Sequence, residues 1–163
     1  MFQFVYQYSL GTIPKFQMVI ETNGYAESWS TNSELNVASI NDRFGADYAM
    51  VTFFDEYFTN TLVTYCSILI NGQGKSVEDI RSYLSSWGME QYADYIYDIS
   101  ITMPVYYFKY VLGFNELRDL TETCQKTLGK KFDSVTFYEE YLSWGPGTFD
   151  LLRERMNNWA NAQ

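Results

Sequence analysis

The sequence predicts an all-α fold, a multi-helix, bundle-like array, and three observations carry that expectation. Only three prolines interrupt 163 residues, and the ten glycines gather at a few joints. Apolar residues recur at three- and four-residue intervals over long stretches. No segment alternates apolar and polar residues for long enough to compete as a strand.

Taken in order, residues 1–10 are apolar and aromatic, with no capping or turn residue ahead of them, and end at Gly11 and Pro14. Residues 15–40 carry a helical pattern that Asn23-Gly24 can kink or break. Residues 41–45 read as a connector. From 47 to 70, Met50, Phe53, Phe54, Tyr57, Phe58, Leu62, Tyr65 and Leu69 hold helical spacing, and Asn71-Gly72-Gln73-Gly74 closes the segment. Ser76-Val77-Glu78-Asp79 resembles a capping box with Asp in place of the usual Glu, and its helix is expected to run to Trp87 and stop at Gly88. A short helix follows over 90–100. Pro104 sits where a new first turn tolerates it, so the next helix is expected to start there and run to Leu128, ended by Gly129. Asp133 or Ser134 caps a helix to Trp144, Gly145-Pro146-Gly147 turns the chain, and Thr148 caps a last helix to about Trp159. Residues 1–163 read as a single helical domain with no internal repeat or linker.

Composition narrows the function classes. Eleven basic against twenty acidic residues leave a net charge of −9, which opposes a phosphate backbone and argues against nucleic acid as a partner. No run approaches the roughly 18 consecutive apolar residues of a membrane span, residues 1–10 lack the basic start of a secretory signal, and no compartment can be read. Cys66 and Cys124 make no metal or redox spacing. There is no histidine, so the common neutral-pH base, the commonest zinc ligand and the middle member of a Ser-His-Asp triad are all missing. Chemistry by this chain alone falls to carboxylates, tyrosines and lysines. Aromatic residues make up 19% of the chain, enough apolar surface to exclude disorder.

Three constellations stand out, each with a bland reading beside the functional one. Glu27 and Glu34, seven residues apart, share a helical face near Tyr25 and Trp29; they fit a metal ligand with its supporting acid, or a solvated face. Tyr106, Tyr107 and Tyr110 crowd the expected first two turns after Pro104, where phenols can donate to a developing oxyanion or simply fill the core. Asn71 opens a Gly-rich stretch that offers backbone donors, but the Lys-Ser/Thr of a phosphate loop is absent and a helix stop is the better reading. Tyr and Trp also suit sugar stacking, although a helical chain needs most such rings for its core.

The run Met103-Pro104-Val105-Tyr106-Tyr107-Phe108-Lys109-Tyr110-Val111-Leu112-Gly113, then Glu116-Leu117-Arg118, Leu128-Gly129-Lys130-Lys131-Phe132-Asp133 and Phe137, resembles the C-terminal end of the bacterial domain-of-unknown-function 885 family. Leu142, Gly145, Leu151, Leu152 and Trp159 continue the likeness. Tyr25-Ala26-Glu27-Ser28-Trp29 with Glu34 is similar to the family's "Glu-Gly-Trp-Ala-x-Tyr-x-Glu", and the stretch from Ile70 to Ser76 to its "Gly-x-His/Asn-x-x-Gly-Trp-Ser". The resemblance implies a helical, gluzincin-like zinc metallopeptidase acting on peptides. In it Glu27 is the third zinc ligand, Glu34 its support, and Tyr110 an oxyanion or substrate contact.

The departures matter as much. His-Glu-x-x-Pro-Gly-His, which supplies two zinc ligands and the general base, is absent; Met1 falls almost where the residue after its second histidine is expected. Tyr138 stands in place of a histidine, Ser28 in place of a glycine, and Lys75 in place of a tryptophan. The expectation is therefore the C-terminal helical part of a metallopeptidase-like fold, inactive alone and without a cofactor of its own, zinc belonging to intact family members. The alternative is a stand-alone interaction module that self-associates through Phe2, Phe4, Tyr6 and Tyr8.

Overall fold

A computed structural model describes residues 2–20, 22–40 and 46–163; the connector at 41–45 lies outside the described residues. The described residues form helices and turns and no strand, so the fold is all-α. The helices are α1 (Phe2–Leu10), α2 (Lys15–Val19), α3 (Asn23–Ile40), α4 (Ala46–Gln73), α5 (Val77–Ser85), α6 (Ala93–Thr102), α7 (Phe108–Leu128), α8 (Ser134–Ser143) and α9 (Phe149–Ala162).

The starts and stops follow local chemistry. Ser76 caps α5 through a reciprocal box: its hydroxyl accepts from Asp79 N at 3.2 Å, while the Asp79 carboxylate accepts from Ser76 N at 2.9 Å. Those hydrogen bonds hold the Asp79 carboxyl below the usual carboxylate range. Asp133 caps α8 by accepting from Thr136 N at 2.8 Å, and Thr148 caps α9. Gly88, at φ +67°, follows as the left-handed turn residue, but α5 itself ends at Ser85, short of the expected Trp87.

The 15–40 segment breaks, one of the two outcomes Asn23-Gly24 allowed, and Asn23 opens α3. Other boundaries differ from the sequence reading. Helix α4 runs through Asn71 to Gln73. Helix α7 begins at Phe108 instead of Pro104. The residue before a proline is pushed out of the α region, and Met103 sits at φ −132°, ψ 65°. Val105 then takes φ +62°, a left-handed conformation that costs a β-branched residue about 1–3 kcal/mol. Tyr106 and Tyr107 thus lie on a turn ahead of the helix, not in its first turns.

The chain divides into two compact units. One comprises Met1–Glu34 and Leu112–Gln163. Its core takes the inner stripes of α7 (Leu117, Leu120, Cys124), α8 (Phe137, Tyr141, Leu142) and α9 (Leu152, Met156, Ala160), with Tyr25 of α3 among them. These positions recur at three to four residues, which is why the sequence pattern found the helices. Each large side chain so buried contributes about 1.5–3 kcal/mol of transfer free energy.

The other unit is Leu35–Val111. Leu62, Val63, Cys66 and Ile70 of α4 meet Ile80 and Leu84 of α5 and Ala93 and Ile96 of α6. Of the apolar series that holds helical spacing along α4, Phe53 and Leu62 are buried, whereas Phe54, Phe58 and Tyr65 are exposed.

Candidate functional site

Helix α3 divides its residues between two jobs. On one side Tyr25, Ser28 and Asn32 are buried in the first unit. The Tyr25 ring stacks on Tyr141 with centroids 5.2 Å apart, and Trp29 meets Tyr138 edge-on at 5.5 Å. Gln7 Nε2, from α1, donates to Tyr25 Oη and to Leu142 O at 3.0 Å. Ser28 Oγ donates to Tyr25 O at 2.7 Å and shares a 3.3 Å hydrogen bond with Tyr141 Oη. Asn32 Nδ2 donates to Tyr138 Oη at 3.1 Å. Tyr138, which stands where the resemblance expects a histidine, is thereby tied to α3.

Burial pushes the phenols of Tyr25 and Tyr141 well above the ordinary tyrosine value, the nearby Tyr25 adding to the effect on Tyr141. At neutral pH both are uncharged hydroxyls, suited to hold helices together and not to act as bases.

Glu27 and Glu34 occupy the other side of α3, Glu27 half-buried and Glu34 exposed. Ser30 Oγ donates to Glu34 Oε1 at 3.4 Å. Seven residues of helix separate the two acids by about 10 Å along the axis, too far for both to ligate one ion. Among the described residues no three His, Cys, Asp or Glu side chains gather closely enough to hold a metal. A catalytic zinc takes three protein ligands, more than the Glu27/Glu34 pair offers.

Tyr110 lies in the other unit, at the start of α7. Its hydroxyl is 3.4 Å from that of Tyr106, and Lys109 Nζ lies 4.1 Å from the Tyr106 ring centroid and 4.9 Å from that of Tyr110. Phenols beside an ammonium make a donor group suited to an anionic oxygen. The Tyr107 ring packs beside both, centroids 5.3 Å from Tyr106 and 6.3 Å from Tyr110, and burial together with a hydrogen bond to Tyr95 raises its phenol. Sequence reading found the tyrosines and missed Lys109; a lysine set among three tyrosines within five residues was the available signal.

Asn71, read as a loop residue, is a helical clamp. From the last turn of α4 its Nδ2 donates to Ser67 O at 3.1 Å and to Ser100 O of α6 at 3.0 Å. It joins two helices.

Comparison of the chain with protein-family models, with curated proteins and with solved structures gives no match in any of the three. No helix of the described residues is long and apolar enough to cross a membrane.

Proposed function

We propose that this chain is the C-terminal helical part of a peptide-cleaving, metallopeptidase-like protein, carrying Glu27, Glu34 and Tyr110 but no catalytic activity by itself. The observation that supports this reading most is the division of α3. A helix whose inner face is locked by Tyr25, Ser28 and Asn32 holds Glu27 at a set rotation beside the core, as a carboxylate waiting on further ligands requires. With one such acid and no imidazole the chain lacks both a metal-holding set and a general base.

The test joins a helix bearing His-Glu-x-x-Pro-Gly-His ahead of Met1 and titrates zinc into the extended and the original chains. The original chain is expected to show no zinc-dependent cleavage of a mixed peptide library. The extended chain is expected to gain zinc affinity that Glu27→Gln lowers by about ten- to a hundredfold. Turnover by the original chain, or zinc affinity indifferent to Glu27, overturns the reading.

A second reading, self-association, rests on α1. Its buried residues are glutamines, Gln3 and Gln7, while Phe4, Val5 and Tyr8 face outward, Tyr8 at 83% exposure. Such an inverted helix presents its apolar side to solvent. Of the four residues expected to associate, Phe4 and Tyr8 are available, Tyr6 packs against the core instead, and the Phe2 side chain lies outside the description. Light scattering of the purified chain is expected to show a dimer that Phe4→Gln/Tyr8→Gln dissociates; a monodisperse monomer removes this reading.

A further inference from the structure

The sequence holds two Asn-Gly pairs, Asn23-Gly24 and Asn71-Gly72, and the fold treats them in opposite ways. Asparagine followed by glycine is the pair most open to self-modification: no Cβ shields the glycine amide, so its nitrogen can close on the asparagine side-chain carbon. Closure makes one demand of the backbone. The asparagine ψ must leave the helical range before nitrogen and Cγ can meet. Both asparagines are exposed, so access of water does not separate the two pairs. Freedom of the backbone does.

Asn71 and Gly72 lie within the last turn of α4, and the helix is closed beyond them by Gly74 N donating to Ile70 O at 3.0 Å and Lys75 N to Leu69 O at 3.1 Å. Asn71 Nδ2, the group that would have to leave, is held by Ser67 O and by Ser100 O of α6. Turning ψ there breaks the helix end and the tie to α6 together. Asn23 is the first residue of α3, and Thr22 ahead of it lies outside any helix. Gly24 comes second, so its N–H belongs to the first turn and has no partner within the helix. The chain before Asn23 can swing while the rest of α3 stays in place, at the cost of the 3.0 Å hydrogen bond from Ala26 N to Thr22 O. Local opening takes almost no free energy at a fraying end and approaches that of global unfolding in packed elements.

We infer that Asn23-Gly24 is a site of spontaneous deamidation and that the fold protects Asn71-Gly72 from the same reaction. Hydroxide takes the Gly24 N–H proton, the nitrogen attacks Asn23 Cγ, and the Cγ–Nδ2 bond breaks, releasing ammonia and leaving a cyclic imide. Water then opens the ring, with no change of oxidation state. Attack at Cγ gives aspartate; attack at the main-chain carbonyl gives isoaspartate, in which the chain runs through Cγ and is longer by a methylene. The products differ in effect. Aspartate places a carboxylate in the first turn of α3, where the helix dipole favours it. Isoaspartate lengthens the main chain just before Gly24, whose carbonyl lies so close to Gly113 that a Cβ there would stand 2.6 Å from it. In that product α3 loses its first turn and loosens where it crosses α7. The inference is independent of the peptidase-like reading, since it uses none of that reading's residues.

The test holds the full chain at pH 8, one sample in buffer and one in concentrated urea, and follows both by peptide mapping with mass spectrometry. In buffer Asn23 is expected to convert at least about tenfold faster than Asn71. In urea, where neither helix remains, the two rates are expected to agree within about threefold. Gly24→Ala is expected to slow conversion of Asn23 at least about tenfold and to leave Asn71 as it was. The isoaspartate form, separated by chromatography, is expected to melt below the parent chain. Equal rates in buffer, faster conversion at Asn71, or an unreactive Asn23 in buffer while the urea sample converts overturns the site. A lead for Asn23 that persists undiminished in urea overturns the role of the fold, and an isoaspartate form that melts with the parent overturns the loosening at the crossing.

Discussion

Between pH 8 and pH 11 the unit formed by Met1–Glu34 and Leu112–Gln163 is expected to lose about 5 kcal/mol of stability, enough to unfold a domain of ordinary strength. Three buried acids cause it. Burial pushes the Cys124 thiol from an ordinary value near 9 up to about 11, and holds the phenols of Tyr25 and Tyr141 above the usual tyrosine value. Each keeps its proton to higher pH when folded than when unfolded. Between the two values the unfolded chain binds fewer protons, so stability falls as pH rises. The loss begins near pH 9 with the thiol and steepens above pH 10 as unfolded phenols ionise; at pH 11 the thiol contributes about 2 kcal/mol and each phenol somewhat over 1. Urea unfolding at pH 8, 10 and 11, followed by circular dichroism, reads it directly. Tyr141→Phe should remove its own share and lessen the slope above pH 10. Equal urea midpoints at pH 8 and 11 would mean that the phenols and thiol reach water in the native state.

The same burial explains why the sequence was legible in some places and opaque in others. Caps act over three or four residues, so Ser76 and Thr148 could be placed from the chain alone and the α8 cap narrowed to Asp133 or Ser134; Ser76, Asp133 and Thr148 each accept the backbone hydrogen bond of a cap. The start of α7 could not, because Pro104 suits a first turn and nothing local foretells that Val105 adopts a positive φ. In α1 the sequence offered the aromatic residues as an associating surface and left the inward side unassigned; the core hydroxyl of Tyr25 and the carbonyl of Leu142 take a donor there, and Gln7 supplies it across 18 and 135 residues of chain. Long-range demands of that kind leave no trace in periodicity. Helix α4 illustrates the converse: Phe54, Phe58 and Tyr65 hold perfect helical spacing with Phe53 and Leu62, and the pattern cannot say which apolar stripe faces the core. As for the site, Glu27 and Glu34 were correctly expected to share one side of a helix, while Lys109 emerged only with its position between two rings.

Gly113→Ala, the second large effect, is expected to destabilise the same unit by about 2–3 kcal/mol, whereas Gly24→Ala changes it by less than about 1. The two glycines lie where α7 crosses α3. A Cβ on Gly113 would stand 2.6 Å from Gly24 O and 3.4 Å from Ser28 Cβ. The first of these is backbone, so relief requires moving one helix from the other and stretching the Tyr25, Ser28 and Tyr141 contacts behind it. Alanine's better helix propensity returns at most about 1 kcal/mol of that cost. A Cβ on Gly24 meets only the Phe149 ring edge, at 3.3 Å, and a ring can tilt by a few tenths of an ångström. Urea midpoints of the two variants separate the cases, and tyrosine near-ultraviolet dichroism should shift in Gly113→Ala alone as the Tyr25–Tyr141 stack opens. Equal midpoints for Gly113→Ala and the parent would show that the helices tolerate a wider crossing, and that α3 does not hold Glu27 at one fixed rotation.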